Sequence, residues 1–222
     1  MKLFLDTANI AQIKDAMKKG VIQGVTTNPS LLSKEPKTDF FKHIEEIVNL
    51  CKKYKGGVPL SVEVFAEQPV DMVYQAKEII QRFDYSELNI KIPIGYEELE
   101  VISKLTKMNI EVNCTCCFTA TQMQLASLSG ARYVSLFYNR LLDVGGNPLK
   151  ILRQVRDFID ANELNCEIIA GSIRNVYDLE DAWEHGAHIV TAGHSVVKKS
   201  TEHPKTTESI DRFLKDFTHW IK

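Results

Sequence analysis

Short apolar segments alternate with segments of helical periodicity along the whole chain. Residues 73–83 show the helical pattern, because Val73, Ala76, Ile80 and Phe83 recur at spacings of three and four. This alternation predicts an α/β fold in which each strand of a parallel sheet is followed by a helix. The predicted strands are residues 3–6, 24–27, 60–64, 88–92, 110–114, 133–137, 166–170 and 189–191.

The number of predicted strands separates two α/β architectures. Eight strand–helix units within 222 residues fit a closed (β/α)8 barrel, the TIM barrel. The alternative, a doubly wound open sheet, normally has a glycine-rich first turn, whereas the first turn here is Asp6-Thr7-Ala8-Asn9. Residues 1–222 are therefore predicted to form a single α/β domain, a (β/α)8 barrel with an additional C-terminal helix.

The additional helix is predicted at residues 206–222. Its apolar stripe is wide and comprises Ile210, Phe213, Leu214, Phe217, Trp220 and Ile221. The helix is not needed to close the barrel. Two interpretations stay open: the stripe packs on its own barrel, or it docks on a neighbouring subunit.

Charge and hydropathy exclude several classes of function. The formal net charge is −2, which gives no electrostatic reason to expect nucleic acid or an anionic membrane as a partner. No apolar run approaches the roughly 20 residues of a transmembrane helix, and no signal peptide is evident at Met1. We therefore expect a soluble, cytoplasmic protein.

Three of the five cysteines lie close together at Cys114, Cys116 and Cys117. Metal sites usually space two cysteines by two to four residues and add a second pair elsewhere in the chain. Here all three thiols fall within one predicted strand, in which neighbouring side chains point to opposite faces. We interpret them as free thiols acting as small apolar side chains, and we expect no metal.

Lys91 is a charged residue inside an apolar segment, residues 88–94. Burying an ammonium group is costly, and a neutral lysine amine is a nucleophile that can form a Schiff base with a carbonyl substrate. The alternative is an edge-strand lysine whose amine reaches solvent. This segment alone does not decide between them.

Polar residues recur where the predicted strands end. In a (β/α)8 barrel these ends form one face, and that face carries the active site. Each residue alone has an ordinary structural explanation; Glu63, for example, could simply pair with Lys91. Their recurrence at one end favours a catalytic site. They are Asp6, Thr26, Asn28, Glu63, Lys91, Asn113, Thr115, Ser135, Asn139, Arg140, Ser172, Arg174, Thr191 and His194.

These residue types suit chemistry at a lysine imine, which acts as an electron sink beside a ketone. Such chemistry needs a carboxylate and a second acid or base, often acting through a bound water, and Asp6, Glu63 and Thr115 are suitable. Arginine binds phosphate in a forked geometry. Arg140 and Arg174, with the Ser172 hydroxyl, are therefore candidates for binding an anionic tail.

At these residues the chain resembles the transaldolase family, in the short subfamily that includes fructose-6-phosphate aldolase. The resemblance covers essentially the full length. Its most specific parts are the Thr27-Asn28-Pro29-Ser30 turn and the Lys91-Ile92-Pro93 strand. The other matching motifs are Phe4-Leu5-Asp6-Thr7-Ala8, Val62-Glu63-Val64, Asn113-Cys114-Thr115, Tyr133-Val134-Ser135, Asn139-Arg140, Ser172-Ile173-Arg174 and Ile189-Val190-Thr191.

The resemblance implies the roles of the site residues. It implies that Lys91 forms the Schiff base and that Asp6 is the proton-transfer carboxylate. Glu63 and Thr115 would hold a catalytic water. The implied substrate-binding residues are Asn28 and Ser135 for the dihydroxyacetone hydroxyls, Arg140, Ser172 and Arg174 for the phosphate, and also Thr26, Phe137 and Asn139.

The resemblance also implies the reaction and the assembly. The expected activity is a transaldolase that moves a dihydroxyacetone unit from a ketose with an anionic C6 group to an aldose phosphate. No metal or organic cofactor is implied, and the partners are small sugar phosphates or sugar sulfonates. A homo-oligomer, a pentamer or decamer, is expected, with the C-terminal helix reaching a neighbour.

Two positions separate the transferase branch from the aldolase branch. The aldolase has glutamine where this chain has Glu63 and tyrosine where it has Phe137, so the resemblance favours transfer over release of free dihydroxyacetone. At Leu136, Gly171 and Gly193-His194 the chain differs from the residues that are usual in the family, which leaves the identity of the anionic tail open. The alternatives that remain open are an aldolase, a sulfofructose-specific transaldolase or aldolase, and a non-catalytic barrel that binds a sugar phosphate.

Overall fold

Eight parallel strands close into a barrel in the computed structural model, which describes residues 1–221. The strands pair in sequence order, and β1 also pairs with β8, so the sheet has no free edge. The predicted (β/α)8 barrel is thereby confirmed. The strands are β1 Lys2–Asp6, β2 Val25–Thr26, β3 Leu60–Glu63, β4 Leu88–Pro93, β5 Val112–Cys117, β6 Tyr133–Phe137, β7 Glu167–Ile173 and β8 Ile189–Ala192.

Helices follow the strands and surround the barrel. Three short helices, α2 after β2, α7 after β6 and α10 after β8, precede longer ones and lie next to the strand ends. Among residues 1–221, no helix has the length and apolar character needed to cross a membrane. The helices are α1 Ile10–Lys18, α2 Pro29–Leu32, α3 Phe40–Lys53, α4 Pro69–Phe83, α5 Tyr96–Lys107, α6 Ala120–Leu128, α7 Tyr138–Asp143, α8 Pro148–Ala161, α9 Val176–Glu184, α10 His194–Lys199 and α11 Pro204–Trp220.

Four strands extend further at their carboxyl ends than the sequence pattern predicted, β4 and β8 by one residue each and β5 and β7 by three. β5 runs to Cys117 and β7 runs to Ile173. In both strands the register shifts near the end, between Cys114 and Cys117 and between Ala170 and Ile173. Such bulges insert an extra residue, bend the strand and are common at barrel rims beside active sites.

The floor of the barrel is filled by a small apolar cluster. Phe4, Tyr133, Ile169 and Ile189 form it, and all four are buried. A Cβ atom at Gly24 would lie 2.5 Å from the Phe4 ring. Glycine is therefore required there, because a side chain would force the floor of the barrel apart.

The C-terminal helix α11 begins at Pro204, two residues before the predicted start at 206, and none of its residues is buried. Phe213 is 68% exposed and Trp220 is 80% exposed. Packing of the apolar stripe on its own barrel, one of the two interpretations, is therefore not observed. The stripe stands exposed on a single copy of the chain.

Candidate active site

One cavity opens at the carboxyl ends of the barrel strands. Its volume is about 310 Å³, at the lower end of the range for small-molecule sites. Side chains from all eight strand ends contribute to it, so it lies on the barrel axis. The lining residues are Asp6, Thr26, Asn28, Pro29, Ser30, Leu31, Lys34, Glu63, Lys91, Asn113, Thr115, Cys116, Ser135, Phe137, Arg140, Gly171, Ser172 and Thr191.

Lys91 points into this cavity from β4 and is almost fully buried. Its Nζ atom lies 2.9 Å from Glu63 Oε2 and donates a hydrogen bond of 2.9 Å to the Thr27 carbonyl oxygen. Glu63 faces Lys91 across the β3–β4 ladder, because the two residues are in register. The buried ammonium is therefore paired and hydrogen-bonded, which offsets part of the cost of its burial.

Asp6 lies at the end of β1, beside the cavity. Thr26 Oγ1 donates to Asp6 Oδ1 over 2.7 Å and lies 2.6 Å from Thr191 Oγ1. Burial raises the pKa of Asp6, and the nearby Lys91 ammonium and the Thr26 hydroxyl oppose this only in part. Asp6 is thus a carboxyl that can take up and release a proton within the site.

A second polar chain crosses the opposite wall. Ser135 Oγ donates to Asn113 Oδ1 over 2.7 Å, and Asn113 Nδ2 donates to Ser61 Oγ over 3.1 Å. These bonds fix the orientation of the Asn113 amide. The Thr115 hydroxyl is fully buried and makes no hydrogen bond to another group in residues 1–221. A buried hydroxyl without a partner beside a cavity is suited to bind a water or a ligand.

Two lining residues adopt backbone conformations that non-glycine residues rarely use. Cys116 and Ser172 both have φ of 61°. Each lies at a register shift, Cys116 in β5 and Ser172 in β7. Strained residues of this kind cluster at active sites, where the surrounding fold holds them. Here the bulges turn both residues toward the cavity.

Arg140 and Phe137 form the wall after β6. The guanidinium carbon of Arg140 lies 4.5 Å from the centre of the Phe137 ring, in cation–π geometry. Phe137 in turn packs edge-on against Phe118, with ring centres 5.7 Å apart. The aromatic pair orients a guanidinium that lies at the cavity.

Two predicted substrate-binding residues do not line the cavity. Asn139 is buried, and its Nδ2 donates to Asp178 Oδ2 over 2.6 Å. The Arg174 guanidinium is held by Asp143, with Nη1 donating over 2.7 Å. Each side chain has a partner within the chain, and a role of Asn139 and Arg174 in substrate binding stays a prediction.

Apart from His194, the other predicted residues meet at the cavity, and several further lining residues were not among the predicted site residues. Pro29, Ser30, Leu31 and Lys34 come from α2 and the turn after it. Lys34 lies beyond Leu32, the last residue of α2, and nothing in the sequence distinguishes it from a solvated surface lysine. His194, at the start of α10, instead pairs with Asp15 of α1 at 2.8 Å.

The cysteine cluster is packed into the barrel wall. Cys114 and Cys117 are fully buried, with their sulfur atoms 4.0 Å apart, while Cys116 lines the cavity. Burial raises the pKa of Cys116, so the thiol form is favoured. No group of three or more histidine, cysteine, aspartate or glutamate residues within 1–221 is arranged to hold a metal ion.

Comparison with known proteins gives one consistent family. Residues 3–221 match the family model described as transaldolase/fructose-6-phosphate aldolase. A protein of Alkaliphilus metalliredigens named "Probable transaldolase" is 39% identical over 222 residues, covering all of both chains. One of Thermoplasma volcanium with the same name is 41% identical over 217 residues, covering 98% of this chain and 95% of its own.

The raised pKa of Asp6 predicts how this residue affects stability. A carboxyl that prefers its protonated form in the folded state stabilises the fold below its ordinary pKa of 3.8, and that contribution is lost as the pH rises through the higher folded value. We expect Asp6→Asn, which stays neutral, to become more stable relative to the wild-type protein as the pH rises from 4 to 8. Urea unfolding across this range measures the difference.

Asp143→Asn is the control with the opposite sign. The Arg174 guanidinium lowers the pKa of Asp143, so its contribution is present above 3.8 and lost as the pH falls. Asp143→Asn should therefore lose stability relative to the wild-type protein as the pH rises toward 3.8, and the difference should change little from pH 4 to 8. A rise in the relative stability of Asp143→Asn from pH 4 to 8 that matches that of Asp6→Asn would contradict the assignment to Asp6.

Proposed function

Because the chain belongs to the transaldolase/fructose-6-phosphate aldolase family, and is therefore an enzyme, we propose that it transfers a dihydroxyacetone unit through a Schiff base on Lys91. The donor is a ketose with an anionic C6 group, and the acceptor is an aldose phosphate. The observation that carries this proposal is the buried Lys91 amine at the cavity, 2.9 Å from the Glu63 carboxylate.

The first step forms the imine. Glu63 accepts a proton from the Lys91 ammonium, and the neutral amine attacks the C2 carbonyl of the ketose to give a carbinolamine. Asp6, whose raised pKa favours a protonated carboxyl, donates a proton to the carbinolamine oxygen, which leaves as water. One carbon–oxygen double bond is exchanged for one carbon–nitrogen double bond, and one water is released.

The second step breaks a carbon–carbon bond. Asp6, now ionised, removes the proton of the C4 hydroxyl. The C3–C4 bond breaks, its electron pair moves to the imine as an enamine, and an aldose leaves. Glu63 and the otherwise unpaired Thr115 hydroxyl are suited to hold a water that moves protons between these groups. The same steps in reverse join the three-carbon unit to an acceptor.

Transfer is favoured over release of free dihydroxyacetone by Glu63 and Phe137. Glu63 is an ionisable base in direct contact with Lys91. Phe137 has no hydroxyl group with which to protonate the enamine carbon, and its ring supports Arg140 instead. The enamine is therefore kept until an aldose carbonyl arrives. Aldolase activity on the same scaffold is the second candidate.

Different residues are candidates for binding the substrate hydroxyls and the anionic tail. Ser135 and Asn28 are polar groups on the cavity wall suited to the dihydroxyacetone hydroxyls; Asn28 Oδ1 already caps α2, leaving its amide nitrogen to donate. Arg140 and Ser172 line the cavity and are suited to an anion. A phosphate and a sulfonate both present the oxygen atoms that such a site binds.

We also propose that the protein is a homo-oligomer assembled through α11. The exposed stripe includes Phe213, Leu214 and Phe217, and apolar surface of this kind is normally covered in solution. A second copy of the chain is the natural occupant, because α11 makes no buried contact with its own barrel. A ring of five or ten subunits would give every copy of α11 the same environment.

The imine mechanism predicts a trapped adduct. Borohydride reduction with fructose 6-phosphate should add the mass of the reduced three-carbon unit or of the reduced sugar to a peptide containing Lys91. Lys91→Met should lose the adduct and lower kcat by at least about 10⁴-fold, because the covalent route is removed. Lys104→Met changes an exposed position of α5 and is the control, which should keep the adduct on Lys91 and the wild-type kcat. An unmodified Lys91 peptide would refute the mechanism.

Transferase activity predicts dependence on an acceptor. Turnover of fructose 6-phosphate should rise by at least about tenfold when an aldose phosphate is added, since the enamine then has an electrophile. Free dihydroxyacetone should be a minor product. The same measurement with 6-deoxy-6-sulfofructose compares the turnover of a sugar sulfonate with that of the sugar phosphate. Equal turnover with and without an acceptor would favour the aldolase.

Assembly through α11 predicts a change in native size. Phe217→Glu places a charge in the apolar stripe and should reduce the mass measured by light scattering, as should removal of residues 206–222. Thr218→Glu, the next residue on the same helix, is the matched control and should keep the wild-type mass. An unchanged mass after removal of 206–222 would contradict the proposal.

A further inference from the structure

Three cationic side chains line the cavity: Lys34, Lys91 and Arg140. Lys91 is paired with Glu63, and the proposed mechanism assigns its amine to the carbonyl carbon of the substrate. Among residues 1–221, neither Lys34 nor Arg140 forms a salt bridge with a carboxylate. Two positive charges are thus free to bind a ligand, and of these two the resemblance had pointed to Arg140 and not to Lys34.

Lys34 and Arg140 approach the cavity from opposite sides. Lys34 follows α2, which begins where β2 ends, and Arg140 belongs to α7, which begins where β6 ends. In the closed order of eight strands, β2 and β6 lie across the barrel from each other. A group held above the barrel axis can therefore be reached by both cations at once.

The backbone around Lys34 is fixed even though its side chain is exposed. Asn28 Oδ1 accepts from the Leu31 N–H over 3.0 Å, and the Lys34 N–H donates to the Leu31 carbonyl over 3.2 Å. Asn9 Nδ2 donates to Glu35 Oε2 over 3.0 Å and ties this turn to the N-cap of α1. A fixed backbone reduces the entropy lost when the lysine closes on a ligand.

The arginine that was expected to complete the anion site has a half-exposed carboxylate partner in this structure. Arg174 is held by Asp143 and does not line the cavity. Arg140 presents a planar fork, oriented by the Phe137 ring, that matches two oxygens of a phosphate or sulfonate. The Lys34 ammonium, across the cavity from Arg140, can contact the remaining oxygen of the phosphate or sulfonate.

From this arrangement we infer that Lys34 is a specificity-determining residue that binds the anionic terminal group of the sugar opposite Arg140. The inference rests on the proposed function, because it concerns the tail of the same substrate. The ammonium acts on the tail and not on the reacting carbon atoms. Its removal therefore weakens binding of charged sugars and leaves imine formation intact.

The test is the variant Lys34→Met, which keeps the length of the side chain and removes its charge. For whichever of fructose 6-phosphate and 6-deoxy-6-sulfofructose the wild-type protein binds better, KM should rise about tenfold, the loss expected for one charged hydrogen bond, with kcat within about twofold. Lys34→Arg should restore KM to within about threefold. Added salt should reduce the difference in KM between the wild-type protein and Lys34→Met, because it screens the charge of Lys34.

Two controls separate this inference from the proposed function. Lys37→Met removes an exposed lysine that does not line the cavity, and its KM should match that of the wild-type protein. Borohydride trapping with uncharged dihydroxyacetone should label Lys91 equally in wild type and Lys34→Met. Failure to label either protein would refute the Schiff base. Equal labelling with an unchanged KM in Lys34→Met would refute the role of Lys34.

Discussion

Closure of the barrel by β1 and β8 determines the rest of the structure. These strands pair from Lys2 and Ile189 to Leu5 and Ala192, which joins the two ends of the sheet. The same pairing brings Thr191 of β8 within 2.6 Å of Thr26, which in turn binds Asp6. Without closure, Asp6 would lie at an open sheet edge exposed to water, where nothing would raise its pKa. The fold thus sets both the position and the chemistry of the site.

The interior of this barrel contains ionisable groups that lower the stability of the fold and that a purely structural barrel would not need. Lys91 is buried and depends on Glu63 and on the Thr27 carbonyl for its compensation. Asp6 is held where burial opposes its ionisation. Such groups lower stability relative to well-packed apolar residues of similar size. The apolar cluster around Phe4 and the shell of aliphatic residues between strands and helices offset that loss.

The sequence was informative wherever a residue broke a local rule. The alternation of apolar and helical segments predicted the barrel, and residues 133–137 were assigned to β6 with the correct bounds. Lys91 and Glu63 were conspicuous because charged residues are unexpected in apolar strands. The ends of β5 and β7 were missed, because Cys116 and Ser172 are not residue types that indicate a positive φ.

Pairing between residues far apart in the sequence was the second feature that could not be predicted. Nothing near Arg174 in the sequence reveals that Asp143, 31 positions earlier, holds its guanidinium. Lys34 follows a short helix and resembles any solvated surface lysine until the barrel places it at the cavity. Contacts of this kind depend on which helices lie next to each other after the sheet has closed, and periodicity carries no information about them.

The backbone at Cys116 also limits how the pocket can be altered by protein engineering. The side chain faces the cavity, so replacing it is an obvious way to change which sugars fit. With φ of 61°, however, the position accepts glycine, asparagine and aspartate far more readily than valine, isoleucine or threonine. A library at position 116 will therefore yield folded proteins from a narrow set of small or polar residues. Larger apolar replacements belong at neighbouring wall positions with extended backbone.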